Sequence, residues 1–248
     1  MADELAWQPF RAELDRWQRS GRTIAFWLRD DDAVQPTAAL DRLLDLAGRH
    51  SIPTTLAVIP AHARAQLAAR LATEPHVSVA VHGWAHDNHA PDGEKKQELG
   101  PHRSAEIVLA ELSKAKTAID RLFGGQAAPV LVPPWNRIDG GLLPALGEIG
   151  FVALSVFGKA KQAPIAVINT HVDIIDWHGG RGGKDHGVLA LELARELKWR
   201  REAGSREAIG VLAHHLVHDE VAWRFMERLL ELTAANPVCR WASCRDLI

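Results

Sequence analysis

Two histidines four residues apart, His82 and His86, close the stretch Val77-Ser-Val-Ala-Val-His82-Gly-Trp-Ala-His86. Neutral imidazoles are the commonest protein ligands for zinc-like ions. Such a pair needs one more ligand, usually a carboxylate, and an open coordination position if the ion is to be catalytic. Upstream, the apolar run Thr23-Ile-Ala-Phe-Trp-Leu28 stops abruptly at Arg29-Asp30-Asp31-Asp32, which offers that carboxylate. Further polar clusters stand at Trp135-Asn136-Arg137, at Asp173-Ile-Ile-Asp176-Trp177 and at His214-His215. These residue types suit metal-assisted chemistry.

Residues so far apart can serve one site only if the fold gathers them. The runs 23–28 and 77–82 read as buried strands, and in parallel sheets the carboxyl ends of strands carry the chemistry. Further strands are predicted at 53–60, 129–131, 151–157, 165–169, 209–213 and 238–241. Helices are predicted at 3–20, with Leu5, Phe10, Leu14 and Trp17 as the apolar side, and at 36–50, 61–72, 103–123, 140–149, 187–202 and 220–234. Residues 87–102 are polar, broken by Pro and Gly, and read as a long loop. Seven or slightly more strand-helix units without a composition break predict a single α/β domain over 1–248. Its strands are parallel, in a closed barrel or an open sheet. In a barrel the polar clusters, each at a strand end, meet on one face.

Basic and acidic residues number 29 and 31 and are mixed along the chain, for a net charge of −2, which argues against a nucleic-acid partner. No run approaches the length of a membrane span. The N-terminus, Met-Ala-Asp-Glu-Leu-Ala-Trp, lacks the basic flank and apolar core of a secretory signal, so a cytoplasmic location is expected. Cys239 and Cys244 cannot form a four-cysteine metal site and read as structural thiols. Three of the nine tryptophans, Trp84, Trp135 and Trp177, lie inside the candidate motifs, where flat apolar rings suit sugar rings. The stretch Gly179–Lys184 lacks P-loop spacing, has Asp185 where Ser or Thr is required, and reads as a loop.

Taken in order, Asp31-Asp32, His82-Gly-Trp-Ala-His86, Val132-Pro-Pro-Trp-Asn136, Asp173-Ile-Ile-Asp176-Trp177 and Leu212-Ala-His214 resemble the motifs of the polysaccharide deacetylase family, the fourth carbohydrate esterase family. The likeness spans roughly residues 23–245. It implies a distorted (β/α)7-type barrel. It also implies a metal-dependent hydrolase that removes an N-acetyl or related acyl group from an amino sugar or other carbohydrate. By the same resemblance Asp32, His82 and His86 hold a divalent metal, zinc being the expected ion, while Asp31 is the general base and His214 the general acid. The backbone N–H of Trp135 completes an oxyanion hole. Trp135, Asn136, Arg137, Asp173, Asp176 and Trp177 bind or orient substrate.

Three departures bear on that assignment. The family's leading arginine of the third motif falls on Val132. Arg29 or Arg137 can replace it, and Arg29 is favoured because in an extended strand it shares a face with Asp31. The third aspartate leaves a second register open, with Asp30 as base and Asp31 as ligand. Asn136 stands at the family's glycine. His89 is an alternative ligand, and His215 and His218 compete with His214, although only His214 fits Leu-x-His. Two other functions stay open: a catalytically silent glycan-binding or regulatory barrel, and a hydrolase of a small intracellular N-acyl compound.

Overall fold

In the computed structural model, which describes residues 2–248, all neighbouring strands run parallel, in the order β6-β5-β4-β3-β2-β1-β8-β7, with β9 set against β1. The strands are β1 (Ile24–Ala33), β2 (Thr54–Val58), β3 (Val77–His82), β4 (Ala127–Val132), β5 (Ala153–Leu154), β6 (Ala166–Val167), β7 (Val172–Asp173), β8 (Ile209–Ala213) and β9 (Cys239–Trp241). β6 and β7 are two parts of one extended segment. On one side Ile168 and Thr170 donate their N–H groups to the carbonyls of Leu154 and Val156; on the other, His171 and Ile174 donate to Gly210 and Leu212. Those bonds join β5 to β8 and close the ring, so the fold is a distorted (β/α)7-type barrel.

The helices are α1 (Ala2–Ala6), α2 (Gln8–Arg19), α3 (Ala38–Arg49), α4 (Ala65–Leu71), α5 (Ala105–Phe123), α6 (Leu146–Ile149), α7 (His186–Ala203) and α8 (Glu220–Thr233). Thr37, Ser104, Asp185 and Asp219 cap α3, α5, α7 and α8, each side chain accepting from a first-turn N–H. Leucines and phenylalanines of these helices, among them Leu40, Leu43, Leu112, Leu193 and Phe225, form the main core with the outward faces of the strands. A smaller cluster of Trp27, Ala57, Ala80, Val130, Val132 and Ala153 lies on the inward face. By strand alternation that face also carries Arg29, Asp31 and His82. The small alanines leave room there for a buried arginine.

Several expected boundaries moved, for identifiable reasons. The helix predicted over 3–20 breaks at Trp7, because Pro9 sits in the first turn of α2, where its missing N–H is harmless, and cannot continue a helix from α1. Leu5 is 61% exposed, so the buried side is Trp7, Phe10, Leu14 and Trp17. Pro144 likewise turns most of the helix predicted over 140–149 into a 3-10 segment, Gly140–Ala145. The strands predicted at 151–157 and 165–169 shrink to two residues each, and β1 continues beyond Leu28 through the aspartates.

Candidate active site

Three consecutive aspartates point to different surroundings because β1 changes conformation at its end. Arg29 and Asp31 share the inward face, whereas Asp30 points to the opposite side. There its Oδ1 contacts His215 Nδ1 at 2.5 Å and its Oδ2 accepts the His215 N–H at 2.7 Å. The pairing of β1 with β2 then slips one residue between Asp31 and Ala33, and Asp32 takes a left-handed φ of 75°. An inserted residue of this kind re-aims its side chain. Asp32 is thereby turned beside the histidines of β3.

Asp32 Oδ1 lies 3.2 Å from His82 Nε2 and 3.5 Å from His86 Nε2. His82 Nδ1 is 2.9 Å from the Val132 carbonyl, which calls for a proton on Nδ1 and leaves the Nε2 lone pair facing Asp32. The ligand atoms of the three residues all lie within 4.8 Å of one another. Asp32 Oδ1 is buried and accepts no hydrogen bond. Two acceptors facing each other at 3.2 Å around an unsatisfied oxygen call for a cation between them. A divalent ion therefore fits this donor set. In the metal-free protein, burial alone would raise the Asp32 carboxyl, but the neighbouring His82, His214 and His86 hold it well below the carboxylate range. Burial opposes charge on His82 too, yet Asp32 and Asp31 raise its pKa overall. His86 is lowered by burial and by His82.

The turn between the histidines is folded around a carboxylate. Glu98, buried, accepts the N–H groups of Trp84 (3.1 Å), Ala85 (2.8 Å) and His86 (3.0 Å). Gly83 adopts φ 60°, and a Cβ there would lie 1.9 Å from Glu98 Oε2 and 2.6 Å from the Pro134 ring, so only glycine fits. His86 is also left-handed, at φ 61°, and its ring centroid lies 4.3 Å from that of Trp135.

Opposite the trio, Asp31 is paired with Arg29: Nε lies 2.9 Å from Oδ1 and NH2 3.0 Å from Oδ2. The same guanidinium, wholly buried, donates to Ser155 Oγ (2.8 Å), the Ser155 carbonyl (3.2 Å) and Asn136 Oδ1 (2.8 Å). Arg137 instead donates to the Lys96 carbonyl at 2.9 Å. Of the two arginines considered for the place lost at Val132, Arg29 is thus the one that touches Asp31. Trp135 and Asn136 are both left-handed, at φ 54° and 58°, a conformation that asparagine tolerates better than most residues.

His214 Nε2 stands 4.0 Å from Asp31 Oδ2. Its ring meets Trp177 edge-on at 4.7 Å, and Trp177 Nε1 donates to Asp173 Oδ2 at 2.9 Å. Burial raises the Asp173 carboxyl, partly offset by His214. Asp31, Asp32, His82, His86, Trp135, Asn136, Arg137, Asp173, Trp177 and His214 line one cleft of about 590 Å³. Arg29 lies beneath it. Asp176 is not in its wall: its Oδ1 accepts the N–H groups of His178 (3.3 Å) and Gly179 (3.0 Å) and caps its own turn. His89 and His218 do not line the cleft either. The His218 ring packs on Trp223 at 4.5 Å, and burial holds its pKa down at about 4. Asp30 is held by His215, so the register that would make it the base places it away from the cleft. Sequence reading missed Glu98 and Ser155, which support the site from behind, and Lys96, Phe157 and Arg181, which line its rim. Nothing in the sequence distinguishes Glu98 from Glu94 in the same polar loop.

The family profile of polysaccharide deacetylases matches residues 20–154, just over half of the chain. No curated protein matches it significantly. Solved structures share the fold. A Mycobacterium smegmatis protein described as a polysaccharide deacetylase superposes with a TM-score of 0.68 at 16% identity, over 91% of this chain and 89% of the other. The peptidoglycan deacetylase PdaC from Bacillus subtilis gives 0.57 at 14% identity, over 91% and 90%. A family 4 acetyl xylan esterase from Clostridium thermocellum, in complex with a cobalt ion, gives 0.53 at 15% identity, over 90% and 89%.

Proposed function

This chain belongs to the polysaccharide deacetylase family and is a deacetylase-type hydrolase; from that premise we propose that its cleft cleaves the N-acetyl amide of an amino sugar, using a divalent metal held by Asp32, His82 and His86. Zinc is the first ion to test, since a carboxylate with two imidazoles suits it. The observation that carries the reading is the convergence, in one cleft, of this trio with Asp31 on one side and His214 4.0 Å from it.

When bound, the ion supplies Lewis acidity toward the acyl carbonyl and toward water. Asp31 takes the proton of the attacking water, and Arg29 fixes its carboxylate in one orientation through both oxygens. The Trp135 N–H donates to the oxygen on which charge develops. A new C–O bond forms, the C–N bond breaks, and His214 gives its proton to the departing amine nitrogen. Acetate and a free amino sugar result. Trp135 and Trp177 offer apolar ring faces along the cleft for a pyranose. A cleft open to solvent, with Trp177 39% exposed at its mouth, supports a working enzyme over a silent barrel.

Substitution separates the roles. Asp32→Ala and His82→Ala are expected to lose metal and acetate release together, whereas Asp31→Asn keeps the metal and loses acetate release. Full metal content in either of the first two variants would overturn the ligand assignment.

A further inference from the structure

Beside the catalytic cleft lies a second cavity of about 510 Å³, and the two share Asn136, Arg137 and Phe157 in their walls. They form one continuous depression. The wall of the second cavity is largely apolar, with Ile138, Leu143, Leu154 and Val156, and among the described residues the charged ones lining it are Arg137, Lys159 and Lys161. No carboxylate among the described residues lines it.

Among the described residues, none of the three cations has a carboxylate partner. Arg137 donates to the Lys96 carbonyl, and the Lys159 ammonium rests over the Trp199 ring at 4.9 Å. In the catalytic cleft, Lys96 and Arg181 likewise have no carboxylate partner among the described residues, and the Lys96 ammonium stands over the Trp135 ring at 6.0 Å. Arg137, Lys159 and Lys161, gathered in one concave wall, make a local positive field, which the low-dielectric surroundings focus. Asp31, Asp32 and Asp173 line the catalytic cleft and not the second cavity. The catalytic cleft mixes carboxylates with cations, whereas the second cavity presents cations alone, so an anionic group is favoured in the second cavity.

We propose that this second cavity is an anion subsite: it takes a phosphate or carboxylate group carried by the sugar whose acyl amide is cleaved in the adjoining cleft. That the sugar is the one cleaved rests on the hydrolase reading; the binding test does not. Amine sugars, which cannot be deacetylated, serve as probes: glucosamine, glucosamine 1-phosphate, glucosamine 6-phosphate and the lactyl ether of glucosamine, titrated calorimetrically into the metal-loaded protein.

At least one anionic sugar is expected to bind about tenfold more tightly than glucosamine, as one or two charge-assisted contacts allow. The preference should vanish in the Lys159→Gln/Lys161→Gln double variant and shrink at roughly 0.5 M salt. Which probe wins distinguishes phosphate from carboxylate. Equal binding of all four sugars, or a preference that survives the double variant, overturns the subsite. In parallel, the double variant should keep wild-type kcat/KM on N-acetylglucosamine and lose the advantage of its anionic derivatives. Should no N-acetyl sugar release acetate while the anion preference persists, the hydrolase reading fails and the subsite stands.

Discussion

Glu98→Gln tests whether the histidine turn is built by the carboxylate behind it. In the native protein that carboxylate accepts three backbone N–H groups at 2.8–3.1 Å in a buried position. Glutamine keeps the shape but replaces one acceptor oxygen with a donor. If its oxygen faces Ala85 and His86, its NH2 confronts the Trp84 N–H; flipped, it confronts two donors instead of one. The smaller loss, one buried donor left unpaired against another, costs about 1–3 kcal/mol. For a chain of this size each kcal/mol lowers Tm by roughly 2–4 °C, so a fall of about 2–12 °C is expected. The same turn carries His86, and loss of a partner behind a ligand typically weakens metal binding by roughly 10–100-fold. Calorimetric melting of the metal-free protein and chelator competition for zinc read the two effects separately. Gly83→Ala, whose Cβ would lie 1.9 Å from Glu98 Oε2, should produce the same pair of losses. If Glu98→Gln melts like wild type and holds zinc with unchanged affinity, the carboxylate is not what shapes the turn.

Other outcomes follow from the same geometry. His82 has its pKa raised by Asp32 and Asp31 in the metal-free protein, so a proton competes with the ion, and zinc affinity should fall as pH drops through that raised value. The slope approaches roughly tenfold per pH unit below it, and zinc titrations run upward from the ordinary histidine value of about 6.5 read it. The sign reverses for the metal-free protein, where the His82 contribution to stability is present at low pH and fades as pH rises through the folded value. Asp30→Asn breaks the buried contact that pins the turn after β8, and it should cost about 3–5 kcal/mol in denaturant melts while leaving metal content intact. Cys239, whose thiol burial pushes up to about 12, should resist alkylation in the folded protein and react at once in denaturant.

How far these residues could be read from the sequence depends on what fixes them. His82 and His86 were legible because β3 is a fully buried apolar run that must end where polar chemistry begins. Arg29 was legible too, since alternation along β1 alone puts it with Asp31. Asp32 was not settled by alternation, which would have sent it to the outward face with Asp30; a one-residue slip against β2 reverses that, and such slips leave no mark in composition. Glu98 escaped notice for a related reason: its role depends on a turn fourteen residues away folding onto it. The segment that holds β6 and β7 reads in sequence as one strand over 165–169, because the change of partner from β5 to β8 at His171 is a matter of ring closure rather than local pattern. Asp176, grouped with the site by its motif, turned out to serve its own loop.

The most direct test of the central claim is acetate release from N-acetylated amino sugars by protein of measured metal content, before chelation, after it, and after zinc is restored. The account predicts close to one metal per chain, activity lost with the metal and regained with it. Acetate release that persists undiminished in fully metal-depleted protein would contradict it.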